Sequence, residues 1–239
     1  YFQDAYYTRG LVGEQLGEFD AALTDYNIYL EFHPEHTEAL FSRAVLRYKQ
    51  GQYELAKVDF IKLLSLPPGE TSTVFYQQDV FSNSATRIFT TQGNDKAYLL
   101  NYLGLAETKL KNYKEAISVL DSAILLNPKD ADQIVNRGLA KEGKGDSKGA
   151  MEDYQLALSL NPENSLARHN LGVLTSKYGL PEDSEKLLYE SIERNPNLPY
   201  PHAQLAFLNF NRGDFKSALE EYNQAIQLDS TDADYLLNR

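Results

Sequence analysis

Five of the nine prolines divide this chain at nearly regular intervals, and that interval constrains the fold more than any other feature. They are Pro34, Pro68, Pro128, Pro162 and Pro196. Consecutive members are 34, 60, 34 and 34 residues apart, and the long interval is one period of 34 plus 26 residues. A fixed period of this length indicates one small structural unit repeated along the chain. Aligned on the prolines, six repeats account for 204 of the 239 residues: 3–36, 37–70, 97–130, 131–164, 165–198 and 199–232.

Three positions of the repeat carry the same kind of side chain in all six copies. The eighth position is small: Gly10, Ala44, Gly104, Gly138, Gly172 and Ala206. The twentieth is also small: Ala22, Ala56, Ala116, Ala150, Ser184 and Ala218. The twenty-fourth is large and apolar: Tyr26, Phe60, Leu120, Tyr154, Leu188 and Tyr222. This pattern predicts two antiparallel helices that approach closely at the small residues, with the bulky side chain filling the gap beside them.

Turn residues separate the two predicted helices of each repeat. Five repeats have a glycine there, where the first helix must end and the chain must turn: Gly17, Gly51, Gly145, Gly179 and Gly213. Lys111 takes this place in the third repeat. The proline at the end of the second helix stops that helix because it has no amide hydrogen. One hairpin cannot bury its own apolar face, so we expect neighbouring repeats to stack into a solenoid.

The length of the repeat and its order of small, small, bulky and proline positions resemble the tetratricopeptide repeat family, whose unit is 34 residues. Six copies in register make this resemblance specific. It implies an all-α fold, a right-handed superhelical α-solenoid of antiparallel helix pairs. We therefore predict repeats one and two over 1–70, a polar insertion over 71–96, repeats three to six over 97–232, and the start of a further helix over 233–239.

The insertion is polar, since 13 of its 26 residues are Ser, Thr, Asn or Gln. Short apolar clusters at 74–76 and 88–89 lie on either side of its middle. This composition fits an ordered loop, a short hairpin or an extra helix. Its role is either a surface elaboration or a recognition segment that lies against a binding groove, because long loops in compact folds often carry function.

A second pattern pairs opposite charges within repeats. Where position seven is arginine, position twenty-three is aspartate: Arg9 with Asp25, Arg43 with Asp59, and Arg137 with Asp153. In repeats three and five both positions are apolar, and repeat six is mixed. We predict structural ion pairs, either between the helices of one hairpin or across a repeat boundary. Loss of one partner of such a pair is costly even where its net contribution to stability is small.

The sequence carries no motif for catalysis, a cofactor or a metal. It has no cysteine, which excludes disulfides, Cys-ligated zinc and thiol catalysis. The four histidines lack the spacing of a zinc site, and no glycine-rich phosphate loop or nucleophile elbow occurs. We therefore predict a protein that is not an enzyme and has no cofactor and no metal site.

Charge and hydropathy restrict the partners. With 34 acidic and 23 basic residues the net charge is −11, which disfavours binding to nucleic acid. No stretch approaches the roughly 18 apolar residues of a membrane span, so we predict no membrane insertion. The absence of cysteine fits several compartments and leaves the localisation open.

The resemblance implies that the first helix of each repeat lines a concave groove through positions two, five, six, nine, twelve and thirteen. The candidate groove residues are Tyr7, Phe41, Tyr98, Asn101, Tyr102, Asn136, His169, Asn170 and Phe207. Asn136 and Asn170 occupy position six of consecutive repeats and resemble the asparagine ladder of members that bind extended chains. An amide both donates and accepts hydrogen bonds and can therefore hold a peptide backbone. Coincidence, or a local hydrogen bond between helices, would account for the same two residues.

Together these features predict a non-enzymatic protein–protein interaction scaffold that binds an apolar or mildly basic partner segment in the groove. Position nine is apolar in every repeat, which excludes the clamp that some family members use for the acidic C-terminal tails of chaperones. Two alternatives remain: a carbohydrate-binding or cell-envelope-associated module, and the accessory repeat array of a larger enzyme. Self-association through the C-terminal end is a further expectation, because the truncated seventh repeat leaves an apolar face there.

Overall fold

The computed structural model describes residues 2–67, 74–78, 86–90, 95–177 and 181–239. These residues form thirteen helices and one two-stranded sheet. The chain divides into an N-terminal body, Tyr1–Pro128, and a C-terminal body, Lys129–Arg239.

The helices of each body pack in consecutive pairs. The N-terminal body contains α1 (Phe2–Leu16), α2 (Phe19–Phe32), α3 (Thr37–Lys49), α4 (Tyr53–Ser65), α5 (Asp95–Lys109) and α6 (Tyr113–Leu126). The C-terminal body contains α7 (Ala131–Gly143), α8 (Ser147–Leu160), α9 (Ser165–Lys177), α10 (Pro181–Arg194), α11 (Pro199–Asn211), α12 (Phe215–Leu228) and α13 (Ala233–Asn238). Each odd-numbered helix up to α11 packs against the helix that follows it, and successive pairs within a body also pack together. The prediction of stacked antiparallel helix pairs is confirmed.

The insertion contains a β-hairpin, the one departure from helical structure among the described residues. Strands β1 (Val74–Gln78) and β2 (Thr86–Thr90) pair antiparallel, with Val74 opposite Thr90 and Gln78 opposite Thr86. A short hairpin was one of the three structures that the polar composition allowed. Insertion residues 71–73, 79–85 and 91–94 lie outside the described residues, as do residues 68–70 of the second repeat.

The small residues at position eight allow the close approach of the two helices. A Cβ atom added at Gly138 would lie 2.5 Å from Cε1 of Tyr154, and one at Gly104 would lie 2.5 Å from Cγ of Leu120. Both large side chains are fully buried. Position twenty-four therefore fills the space that position eight leaves empty, as the repeat pattern predicts.

The turns between paired helices use left-handed backbone conformations. Gly51 has φ 75° and Gly145 has φ 91°, values that a side chain disfavours. Lys111 adopts the same conformation with φ 64°. The packing of the two helices requires this turn, so Lys111 adopts a strained left-handed backbone conformation where the other repeats have glycine. Gly179 lies outside the described residues.

Aspartate side chains define several helix starts. A carboxylate oxygen of Asp146 accepts the amide hydrogen of Gly149 at 3.0 Å, and Asp214 accepts that of Ser217 at 3.1 Å. Such caps satisfy amides that have no partner inside the helix. They explain why α8 and α12 begin where they do.

All three predicted arginine–aspartate pairs are present. The distances between Nη2 and Oδ1 are 2.6 Å for Arg9–Asp25, 2.7 Å for Arg43–Asp59 and 2.6 Å for Arg137–Asp153. In each pair the arginine Nε also donates to the second carboxylate oxygen. Every pair joins the two helices of a single hairpin, which decides between the two locations that the sequence allowed. The bidentate geometry fixes both side chains as structural elements.

Candidate partner-binding groove

Tyr7 on α1 is half-buried and belongs to a group of aromatic rings at the first repeat. Its ring stacks on Tyr29 with the centroids 5.2 Å apart. Its hydroxyl donates a hydrogen bond to Oε2 of Glu38 at 3.2 Å. Burial and the neighbouring Glu38 carboxylate raise the pKa of Tyr7. Tyr7 is therefore a neutral, positioned ring with one partly accessible edge.

Tyr102 on α5 lies in the hydrophobic core. Only 1% of its surface is exposed, and its ring stacks on Phe60 with the centroids 5.4 Å apart. Phe41 is also buried and meets the Tyr102 ring edge-on at 6.1 Å. Tyr98, which is half-buried, donates from its hydroxyl to that of Tyr102 at 3.3 Å. A partner cannot stack on Tyr102 in this conformation, so Tyr98 is the accessible ring of this group.

The candidate asparagines, Asn101 at position five and Asn136 and Asn170 at position six, are buried. Asn101 on α5 and Asn136 on α7 have little exposed surface. Asn170 on α9 is 8% exposed, and its Nδ2 atom has no hydrogen-bond partner among the described residues. An unpaired buried donor costs about 1–3 kcal/mol. This amide therefore retains an unused capacity to donate.

His169 precedes Asn170 and shares this property. Its Nδ1 atom is buried and has no hydrogen-bond partner among the described residues. The imidazole packs on the ring of Tyr200, with the centroids 4.4 Å apart. Burial lowers the pKa of His169 to about 3, because the charged imidazolium would lose its hydration. His169 is therefore a neutral ring at physiological pH.

Phe207 on α11 is the most exposed of the candidate groove residues in the C-terminal body. Its side chain is 49% exposed, and Phe210 on the same helix is also exposed. The Phe210 ring meets that of Phe215 edge-on at 5.4 Å. Exposed aromatic rings of this kind often mark binding surfaces.

Paired tyrosine and glutamate side chains form a feature that the sequence analysis missed. The Tyr26 hydroxyl donates to Oε2 of Glu14 at 3.0 Å, and the Tyr154 hydroxyl donates to Oε2 of Glu142 at 3.2 Å. Burial raises the pKa of Glu14, while the hydrogen bond from Tyr26 opposes that shift. The sequence pattern that predicts these pairs is a glutamate at position twelve together with a tyrosine at position twenty-four, which occurs in repeats one and four. These bonds anchor two carboxylates at predicted groove positions.

The described ranges lack a metal-binding cluster and a membrane-spanning helix. No group of three or more His, Asp or Glu side chains there is arranged to hold a metal ion. No helix in that part of the chain combines the length and the apolar composition needed to cross a membrane.

Comparison with known families identifies the repeat. Models described as tetratricopeptide repeat match residues 5–63, 97–130 and 134–164, and one described as TPR repeat matches 208–239. The chain belongs to the tetratricopeptide repeat family. Proteins of this family are protein-interaction scaffolds.

Individual tetratricopeptide repeat proteins are similar over most of the chain. The tetratricopeptide repeat-containing protein trd-1 of Caenorhabditis elegans is 24% identical over 190 residues, which are 78% of this chain and 25% of that protein. A solved tetratricopeptide repeat protein from Parabacteroides merdae has a TM-score of 0.78 and 15% identity, with 99% of this chain and 82% of that one covered. YrrB, described as a TPR protein with an unusual peptide-binding site, has a TM-score of 0.54 and 19% identity, covering 82% and 88%. At these identities the solved structures show the fold alone.

The chain spans between a quarter and about two fifths of the curated relatives it matches. Within each body of the tetratricopeptide repeat array, candidate residues form a local group. Phe41, Tyr98 and Tyr102 come together in the N-terminal body. His169 and Asn170 come together in the C-terminal body through consecutive positions on α9.

Proposed function

We propose that this protein is a non-enzymatic scaffold that binds an extended segment of a partner protein along the first helices of its repeats. The observation that carries this proposal is the pair of unpartnered polar atoms on α9, Nδ2 of Asn170 and Nδ1 of His169. Both atoms are buried, so a bound backbone reaches them once the side chains that cover them move aside. Its carbonyl and amide groups then pair with both atoms and remove the cost of leaving them unsatisfied.

The neighbouring rings support an apolar contribution to binding. Tyr200 packs on His169, and the exposed ring of Phe207 lies on the same helix as Tyr200. Aromatic side chains supply much of the binding energy in protein interfaces. In this proposal amides hold the backbone while exposed rings contact apolar side chains of the partner, which is apolar or mildly basic in keeping with the net charge of −11.

Photo-cross-linking tests the location of the partner. A benzophenone amino acid placed at Phe207 should capture partner segments, which mass spectrometry then identifies. The matched control places the same amino acid at Leu219 of α12, an exposed apolar residue on the second helix of the same repeat. Equal capture from both positions, or capture from Leu219 alone, contradicts the groove proposal.

Substitution tests the role of the amide. Asn170→Leu keeps the shape of the side chain and removes the unpartnered donor, so it should weaken binding of the captured segment about tenfold without destabilising the free protein. The control Asn223→Leu changes an exposed asparagine of α12. If Asn170→Leu binds the segment as tightly as the wild type, the amide does not hold the partner.

The carbohydrate alternative required tyrosines on an exposed flat surface. Tyr26, Tyr154 and Tyr222, all at position twenty-four, are buried between helices. Buried rings offer no platform on which a sugar can stack, so this alternative loses its supporting observation. The alternative of an accessory array in a larger enzyme concerns sequence beyond this chain.

We also infer that the C-terminal end can bind a second copy of the chain. Helix α13 packs against α12, and it leaves Leu236 and Leu237 exposed. Apolar residues exposed side by side favour association. Light scattering should show a concentration-dependent rise in mass that Leu237→Ser abolishes; a constant monomer mass contradicts the inference.

A further inference from the structure

An acidic–aromatic cluster occupies the first repeat, formed by Asp4, Tyr7, Tyr29, His36 and Glu38. Helix α1 supplies the first two residues, α2 supplies Tyr29, and α3 with its N-cap supplies the last two. Asp4 and Glu38 both hold position two of their repeats. Three helices thus bring two carboxylates to one group of rings.

The rings are held by contacts with one another. Tyr7 and Tyr29 are stacked at 5.2 Å, and the His36 ring lies 5.1 Å from each of them. Nδ1 of His36 accepts the backbone amide hydrogen of Ala39 at 3.2 Å, which orients the imidazole and leaves Nδ1 without a proton. The cluster is therefore organised before any partner arrives.

The Glu38 carboxylate contacts the Tyr7 hydroxyl, and the negative charge of Asp4 on α1 acts on Tyr29. Glu38 accepts the hydrogen bond from Tyr7 at 3.2 Å. Burial raises the pKa of Tyr29, and the negative charges of Asp4 and Glu38 raise it further. Negative charge from α1 and from α3 therefore acts on this group of rings.

Few basic side chains among the described residues lie close to these two carboxylates. Among the described residues, no lysine or arginine forms an ion pair with Asp4 or Glu38, and the basic side chain that comes nearest is the imidazole of His36, whose Nε2 lies 4.0 Å from Oε2 of Glu38. Tyr29 is only 5% exposed, yet its hydroxyl forms no hydrogen bond within the described part of the chain. By contrast, Glu142 pairs with Lys177 at 2.9 Å.

We propose that Asp4, Tyr7, Tyr29 and Glu38 form a subsite for a lysine or arginine side chain of the partner segment, a proposal that rests on the proposed function above. Two carboxylates attract a cation, the rings pack against its alkyl stem and its charged head, and the Tyr29 hydroxyl gains a role as an acceptor. The same helix already shows the contact internally, because the Arg9 guanidinium lies 5.4 Å from the Tyr6 ring centre.

The test is a nuclear magnetic resonance titration of the whole chain with three peptides. Each is a nonapeptide of alternating serine and alanine whose central residue is lysine, arginine or norleucine. The Tyr7 and Tyr29 ring signals should shift saturably with the lysine or arginine peptide. The protein should bind the norleucine peptide at least about fivefold more weakly. Comparison of the lysine and arginine peptides identifies the preferred cation. Equal responses to all three overturn the subsite.

Charge-removing variants test the carboxylates. Glu38→Gln keeps a hydrogen-bond acceptor for Tyr7 but removes the negative charge. Asp4→Asn removes a charge that takes no part in that hydrogen bond. Each variant should weaken binding of the cationic peptides at least about fivefold. The matched control Glu18→Gln removes the same charge from an exposed residue. Unchanged binding in both Glu38→Gln and Asp4→Asn overturns the proposal.

The His169 and Asn170 resonances of the C-terminal body, recorded in the same titration, distinguish failure of the cationic subsite from failure of the proposed function. If all three peptides shift only the His169 and Asn170 signals, the groove stands and the cationic subsite is wrong. If no peptide shifts signals in either body, the cationic subsite is wrong, and the groove is then judged by the cross-linking experiment, because these peptides lack the large apolar side chains that it requires.

Discussion

Acid should destabilise this protein through His169, and the structure sets the size of the effect. Burial lowers the pKa of the imidazole from 6.5 to about 3 in the folded protein. Because the folded pKa lies below the unfolded value, the unfolded chain takes up the proton first as the pH falls. The contribution of neutral His169 to the free energy of unfolding is fully present above about pH 7. It is progressively lost between about pH 6.5 and pH 3.

The magnitude follows from the distance between the pH and the unfolded pKa. At pH 5 the unfolded histidine is almost fully protonated and the folded one is neutral. Each pH unit below 6.5 contributes about 1.4 kcal/mol, so His169 costs about 2 kcal/mol of unfolding free energy at pH 5 relative to pH 8. Carboxylates titrate over part of this range, so the contribution of His169 must be isolated by a variant.

Urea unfolding of the wild type and His169→Gln at pH 8 and pH 5 isolates that contribution. The loss of unfolding free energy between the two pH values should be about 2 kcal/mol smaller in the variant, whatever its absolute stability. A direct titration of the His169 ring signal gives an independent measurement. Equal losses in both proteins, or a ring that titrates near pH 6, would refute the reasoning that burial holds this histidine neutral.

Three further substitutions test the repeat architecture by urea unfolding. Lys111→Gly should stabilise the protein by about 0.5–1 kcal/mol, since glycine relieves the strained φ of 64° and the relief exceeds its added entropy in the unfolded chain. Gly138→Ala should destabilise it by about 1–3 kcal/mol, because the new Cβ would lie 2.5 Å from the Tyr154 ring. Asp59→Asn should destabilise it by about 3 kcal/mol, since the largely buried Arg43 loses its ionic partner.

Matched control variants distinguish these mechanisms from a nonspecific loss of stability on substitution. Gly145→Ala places a side chain at φ 91° and should lower stability, opposite in sign to Lys111→Gly. Gly13→Ala meets Ala22 at an ordinary 3.4 Å and should be tolerated. Asp25→Asn should cost less than Asp59→Asn, because 69% of the Arg9 side chain is exposed against 15% for Arg43. Equal costs for the two aspartates would contradict the assigned role of burial.

Much of the candidate site was beyond the reach of the repeat pattern. Position five or six assigns Tyr7 and Tyr102 to the same groove surface, but the pattern does not report how deeply each ring is packed. Tyr102 stacks on Phe60 inside the core, whereas Tyr7 keeps an accessible edge beside Glu38. The difference depends on side chains from neighbouring helices, which no periodicity within one repeat encodes.

The repeat pattern was sufficient to predict the helix pairs, the close contact of positions eight and twenty-four, and the arginine–aspartate pairs, because each depends on residues at fixed spacing within one repeat. The packing of the helices determines which polar groups lack partners among the described residues, as at Asn170, and which carboxylates lack a lysine or arginine partner there, as at Asp4 and Glu38. Those properties depend on everything that surrounds a side chain in space. A spacing rule can place a residue on a face, but burial and pairing are set only when the neighbouring helices pack.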